Sequence, residues 1–380
     1  MIYLDAAATT LQKPPAVMRA MAHAVNHMAS PGRGGYPAAM KAADTVFACR
    51  EAAGTLFHVS NPEQVVLTSN ATHGLNIAIF TLVRPGDTVV ISGYEHNAVT
   101  RALAAIPNVT VKVAAAPLFC PEKTLEAFQA AITSDVSCVI CNHVSNVFGS
   151  IQPVEKIAAL CRTKNIPFIL DASQSAGTLP VHMDTLQAAF IAMPGHKGLY
   201  GPQGTGLLLC NAEPRPLLYG GTGSASQEQK MPEFLPDRLE AGTHNVPGAA
   251  GLLEGIRFVM RKQEHRILEH EQRLLSDAAA GLKHMMGVEC FYTDRPDAQT
   301  GVLSFRIQNA DCETIGERLG EKGVAVRAGL HCSPLAHETA GTIRTGTVRI
   351  SVSAFNDAHQ INLFLSKLEQ CLSHQTGIRP

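Results

Sequence analysis

Charged residues are few in this chain: Asp, Glu, Lys and Arg make up 17% of its 380 residues, against about a quarter in an ordinary soluble domain. Much of the chain is therefore expected to lie inside a fold or an interface. The 31 basic and 32 acidic side chains leave a formal net charge of -1, which removes any electrostatic case for a nucleic-acid or polyanionic partner. The opening stretch MIYLDAAATT lacks the basic segment and apolar run of a signal peptide. Nowhere does the chain approach the roughly 18 unbroken apolar residues of a membrane span. These absences point to a cytoplasmic protein with no membrane partner.

Ten cysteines are scattered rather than clustered, and without an export signal disulfides are not expected. The one CxxC, Cys138 to Cys141, falls in a strand-like run. Positions three apart on a strand face opposite ways, so both read as small buried hydrophobes. Nucleotide signatures are missing too. The turns GPQGTG (201–206) and GGTGSAS (220–226) lack the acidic residue about twenty positions later that marks a dinucleotide fingerprint, and there is no GxxxxGK[ST] motif. Neither ATP nor NAD is expected. Around Asp171, Gln174 and His182 there is no compact set of the HExxH kind, and no metal is expected.

What the chain does have is apolar mass in a regular pattern. At 46% hydrophobic it can build one large core and a second, smaller one. Strand-like runs at 64–69, 86–92, 109–115, 136–143 and 167–173 alternate with helix-like segments. The helical stretches are 14–28, 43–57, 97–105, 123–133 and 154–164. Such alternation predicts crossover units on a mostly parallel sheet, with functional groups at the carboxyl ends of the strands. A charged helical segment over 261–282 leads into a smaller α+β unit. The expected division is a large domain over 15–258 and a small one built from 1–14 and 259–380.

Several residues could carry chemistry. Asp171 ends an apolar strand and could cap a helix or face a metal or cofactor. Lys197, in GHKGLYGPQGTG, is either a solvated loop lysine or an amine nucleophile made useful by desolvation. The second reading requires a phosphate site and a carboxylate facing a ring nitrogen. SNATHGLN (69–76), a strand-to-helix transition, offers free N–H groups for a phosphate. Cys332 stands in a polar, glycine-rich loop beside His331, where positive charge could favour a thiolate. Arg349 begins an alternating strand and could grip a carboxylate with two parallel hydrogen bonds.

The ordered series SNATHGLN, YEHNAVTRA, NHVSNVFG, FILDASQSAG, GHKGLYGPQGTG, LEAGTHN and RAGLHC resembles the class V aminotransferase family of pyridoxal-phosphate enzymes. Within that family it is most similar to the second group of the cysteine desulfurase and selenocysteine lyase branch. The resemblance runs from YLDAAATT to VRISVSAFN and implies an α/β fold of the type I, aspartate-aminotransferase-like kind. It implies pyridoxal 5'-phosphate (PLP) as cofactor and a homodimer with shared active sites. Lys197 resembles the lysine that holds PLP covalently, and Asp171 the carboxylate that keeps the ring nitrogen protonated. His96 resembles the histidine stacked on the ring that assists proton transfer. Ala71, Thr72 and His196 match positions around the phosphate, and Thr243 the residue that reaches it from the neighbouring subunit. Asn146 and Gln174 resemble the pair near the ring oxygen and the substrate. Cys332 matches the cysteine that takes sulfur as a persulfide, for passage to an acceptor. Arg349 and Arg327 match the arginines of the substrate pocket, and Arg33 one on its entrance side. The family often has a hydroxyl two residues before the histidine of HK; here Pro194 stands there, with neither hydroxyl nor N–H. The resemblance implies cysteine desulfurase activity. Selenocysteine lyase, or another class V lyase or aminotransferase, is the alternative.

Overall fold

Seven short apolar strands, three of them buried at every position, set the centre of the molecule. The structure, a computed structural model, describes residues 1–32 and 34–373. In chain order the strands are β1 (Ile2–Tyr3), β2 (Val65–Thr68), β3 (Thr88–Ser92), β4 (Thr110–Ala114), β5 (Val136–Asn142), β6 (Phe168–Asp171), β7 (Phe190–Pro194) and β8 (Gly206–Cys210). They continue with β9 (Val288–Phe291), β10 (Val302–Ile307), β11 (Val324–Ala325), β12 (Arg327–Gly329) and β13 (Thr347–Ser351). The α-helices are α1 (Pro15–His27), α2 (Pro37–Phe57), α3 (Ala71–Leu82), α4 (Asn97–Ala104), α5 (Pro121–Ala131) and α6 (Val154–Thr163). After them come α7 (Met183–Leu186), α8 (Val246–Lys262), α9 (Glu264–Lys283), α10 (Cys312–Glu321), α11 (Pro334–Thr339) and α12 (Ala358–Ser373).

The large sheet has the order β2-β8-β7-β6-β5-β3-β4. All its pairs are parallel except those of β8, which runs antiparallel to both neighbours. Both faces are covered, as a parallel sheet requires. One core holds Val139, Cys141, Leu170 and Ile191, and the other Cys138, Ile140, Ile169 and Phe190. Full burial of such side chains contributes roughly 1.5–3 kcal/mol each. Cys138 and Cys141 thus sit on opposite faces of β5, as strand geometry requires.

A second core gathers around the sheet β12-β13-β10-β9, covered by α9, α10 and α12. Ile2 and Leu4 are buried in this core, and β1 pairs in parallel with β11. The N-terminal strand is therefore tied to the far end of the sequence. Helix α1 packs on α8.

The structure departs from the sequence expectations most clearly at α2 and β8. Helix α2 starts at Pro37 rather than near residue 43, because a proline in the first helical turn loses no hydrogen bond. β8 is a strand the reading left out. Its GLLLC run has no alternation to identify it, since both sides are buried.

Register fixes where the chemistry can be. Asn142 pairs with Asp171, and Asp171 with Ala192. The carboxyl ends of β5, β6 and β7 thus lie side by side, and the loop from β7 to β8 carries Lys197 across them.

Candidate active site

Lys197 is placed by close backbone packing. Tyr200 and Gly201 fold the loop back by donating N–H groups to the carbonyls of Lys197 (2.9 Å) and Gly195 (2.7 Å). Gly198 lies so near the Ala176 carbonyl that a Cβ there would sit 2.4 Å from it. From the N-terminal segment, Thr9, Thr10 and Lys13 all donate to the His196 carbonyl, at 3.0–3.2 Å. The result is a lysine held between two strand ends. It lines one cleft with Asp171, His96, Asn146, Gln174, Ala71, Thr72 and His196. The cleft has a volume of about 100 Å³.

Burial is the main force on the charges here. It lowers Lys197 to about 8; Arg349 and Arg327 add to that, while Asp171 and Asp5 oppose it. Burial also takes His96 down to about 4, against Asp171 and with help from Lys197, Arg327 and Arg101. The His96 ring is therefore neutral at pH 7. As the N-cap of α4, its Nδ1 accepts the Ala98 N–H at 3.0 Å. The proton must then sit on Nε2, making that atom a donor. His196 falls to about 4, mainly by burial and then through Lys197 and Lys13, and its buried Nδ1 has no partner.

Asp171 ends β6 and accepts the Ser173 N–H at 2.9 Å. Nearby, Asn70 caps α3 by accepting the His73 N–H at 2.9 Å. That leaves the first two helical N–H groups, of Ala71 and Thr72, without intrahelical partners. Pro194 ends β7 opposite Gly206. Gly206 must be glycine, since a Cβ would sit 2.7 Å from the Asn70 carbonyl carbon. The strand thus passes directly beneath the α3 cap. In place of a hydroxyl at 194, the donors on this edge are two backbone N–H groups, Thr72 Oγ1 and the His196 ring.

These features fit PLP. An amine that burial can neutralise, a carboxylate at a strand end, a helix N-terminus and an unpartnered buried imidazole nitrogen together match a phosphorylated pyridine carbonyl. Lys197 would hold it covalently, Asp171 would face its ring nitrogen, and Ala71, Thr72 and His196 would take its phosphate.

Three predicted residues turn out to be already engaged. Both ends of the Asn146 amide brace the loop of Cys332: Nδ2 donates to the His331 carbonyl (2.9 Å) and Oδ1 accepts from Ser333 Oγ (2.7 Å). Gln174 donates to the Ala7 carbonyl at 3.0 Å. Arg349 is 1% exposed, with one nitrogen 2.6 Å from Asp5 and another donating to the Asn146 carbonyl at 2.7 Å. Its Nε alone is buried without a partner. A substrate carboxylate reaching Arg349 would thus compete with Asp5, which the sequence reading missed. The signal was an acid in an otherwise apolar N-terminal run.

Cys332 is exposed, and it and His331 both have positive φ, +59° and +52°. His331 is buried against Thr347, so the turn throws the cysteine outward. Arg327 donates to its sulfur at 3.2 Å, and Asn97 N–H reaches its carbonyl at 2.9 Å. The thiol therefore stands at the rim beside His96. Thr243 lies elsewhere, in an apolar cavity with Leu217, Leu218 and Leu252, and does not line the cleft of its own Lys197. Arg33 lies outside the described residues.

The Aminotransferase class-V family profile matches residues 2–364. A probable cysteine desulfurase of Methanothermobacter thermautotrophicus is 32% identical over 97% of this chain and 94% of its own length. One from Xylella fastidiosa is 31% identical over 97% and 90%. The apo structure of a cysteine desulfurase from Thermococcus onnurineus NA1 superposes with a TM-score of 0.88 at 27% identity, covering 98% of this chain and 95% of that one. The chain therefore belongs to the class-V aminotransferase family, as a desulfurase-like member with the type I fold of PLP enzymes.

Proposed function

We propose that this protein converts L-cysteine to L-alanine, taking the sulfur onto Cys332 as a persulfide and passing it to an acceptor protein or thiol. The observation that carries this reading is the shared rim: an exposed cysteine, tethered by Asn97, stands next to the cleft of Lys197, Asp171 and His96. Bound PLP would supply an electron sink for charge developing at the substrate α-carbon. Lys197, brought to about 8, is close enough to neutrality to remove the α-proton there. Asp171, at the end of β6, would face the ring nitrogen of bound PLP. His96 donates from Nε2. The Cys332 sulfur attacks the substrate sulfur, forming an S–S bond as the Cβ–S bond breaks. That bond's electron pair stays on the β-carbon, which takes a proton to become the methyl of alanine. Arg349 exchanges Asp5 for the substrate carboxylate, and Arg327 orients the thiol.

The position of Thr243, away from its own cleft and on an apolar surface with exposed Leu218, supports a homodimer in which it serves the partner's phosphate. The test is incubation of the PLP-loaded protein with L-cysteine and, in parallel, selenocysteine, quantifying alanine, sulfide and selenide with and without an acceptor thiol. Wild type should make alanine from cysteine, and Lys197→Ala and Cys332→Ala should not. Undiminished turnover and acceptor sulfuration in Cys332→Ala would sink the proposal. Turnover of selenocysteine alone would move the assignment to a selenocysteine lyase.

A further inference from the structure

His58, His182 and Asp184 line none of the cleft and have no part in the chemistry proposed for it. His58 ends α2 in the left-handed conformation, φ +53°, and this turn brings its ring over His182, the residue before α7. The two imidazoles stack 3.8 Å apart at 4°. Asp184, in the first turn of α7, places Oδ2 3.2 Å from His58 Nδ1. One nitrogen or oxygen from each residue lies within 4.8 Å of the others. The group is reachable, since the side chains of His58 and Asp184 are 48% and 61% exposed.

Glu155 adds a further negative field at His182. Two imidazoles and a carboxylate form the borderline donor set of zinc and its transition-metal neighbours, with the fourth position left to water. Bonds of about 2.0–2.1 Å in a tetrahedron put donor atoms about 3.3 Å apart. The His58–Asp184 pair already has that spacing. Parallel rings cannot share an ion in both planes, so one exposed ring must turn as the ion enters.

We propose that His58, His182 and Asp184 form a surface site for one divalent transition-metal ion of the zinc class. The ion takes the position between His58 Nδ1 and Asp184 Oδ2, binding the neutral imidazole through the Nδ1 lone pair with the ring proton on Nε2. By bridging the end of α2 to α7 it stabilises the folded chain.

The test is calorimetric titration of the chelator-treated, PLP-loaded protein with zinc chloride, alongside cobalt absorption as a readout of tetrahedral geometry. Wild type and Cys332→Ser should both bind one equivalent at this site and gain thermal stability. His182→Ala and Asp184→Asn should lose that equivalent, the stability gain and the cobalt bands, with unchanged circular dichroism. His23→Ala controls for the other histidine pair, His23 and His27, which stack on α1. Equal zinc stoichiometry and affinity in wild type and both site variants would overturn the proposal, as would loss of the equivalent in His23→Ala or Cys332→Ser.

Discussion

Replacing Glu271 with glutamine should stabilise the protein by an amount that grows with pH. Glu271, on α9, is 5% exposed and accepts no hydrogen bond among the described residues. It faces a small polar cavity behind Lys197, lined also by Thr178, Tyr200 and Ser353. A Cβ on Gly301 would sit 2.6 Å from its Oε2, so the acid is built into a space kept clear by a glycine. Burial alone raises it from 4.5 to about 8. A folded chain with the higher pKa keeps its proton where the unfolded chain has lost it. Stability from this group is then complete below pH 4.5 and falls by about 1.4 kcal/mol per pH unit until about 8. The gap of three and a half units sets the full loss near 5 kcal/mol, to order of magnitude. Glutamine has nearly the same shape and no charge to lose. Urea unfolding of wild type and Glu271→Gln at pH 5, 6, 7 and 8 should show curves that diverge in favour of the variant, by several kcal/mol at the alkaline end. A stability difference that stays constant with pH would refute the reasoning.

Arg50→Ala should cost about 3–5 kcal/mol, read by chemical denaturation, because it leaves the buried Glu240 with only the Leu67 N–H and the His244 ring as partners. Both carboxylate oxygens of Glu240 face the Arg50 guanidinium, with side chains 5% exposed on each side. Asn146→Ala should leave PLP bound, with its visible absorption intact, but slow persulfide formation on Cys332. The two hydrogen bonds that brace residues 331–333 are lost, at about 1–3 kcal/mol for each buried group left unpaired; a persulfide rate equal to wild type would contradict the bracing role. His96→Gln should keep PLP absorption but lower alanine production, because an amide still donates a hydrogen bond yet cannot give up and regain a proton as an imidazole does; unchanged turnover would remove His96 from the proton path.

Much of the fold was legible because strand and helix signals differ in period. Runs such as VSCVICN and FILD are too short and too continuously apolar for anything but buried strands between crossover helices, and they led to Asp171 at a strand end. The β8 run carried no such signature, and its antiparallel course depends on the glycine-rich loop. Lys197 could be singled out, but not its burial, which comes from backbone crossings at Gly177 and Gly198. Asp5 and Arg349 lie at opposite ends of the chain, and only β1 joining the far strands brings them together. The same limit hid the double role of Asn146, which is set by a loop far along the sequence. His58 and His182 were equally invisible as a pair, since the left-handed end of α2 makes their contact.

The central claim is that Cys332 receives the sulfur that the Lys197 cleft releases. Its most direct test is a single turnover: PLP-loaded protein mixed with a substoichiometric amount of L-cysteine, quenched without reductant, digested and analysed by mass spectrometry. The account predicts alanine in equal amount to a peptide containing Cys332 that is one sulfur atom heavier, with neither product in Lys197→Ala. Alanine formed with the extra sulfur on another cysteine, or on none, would contradict it.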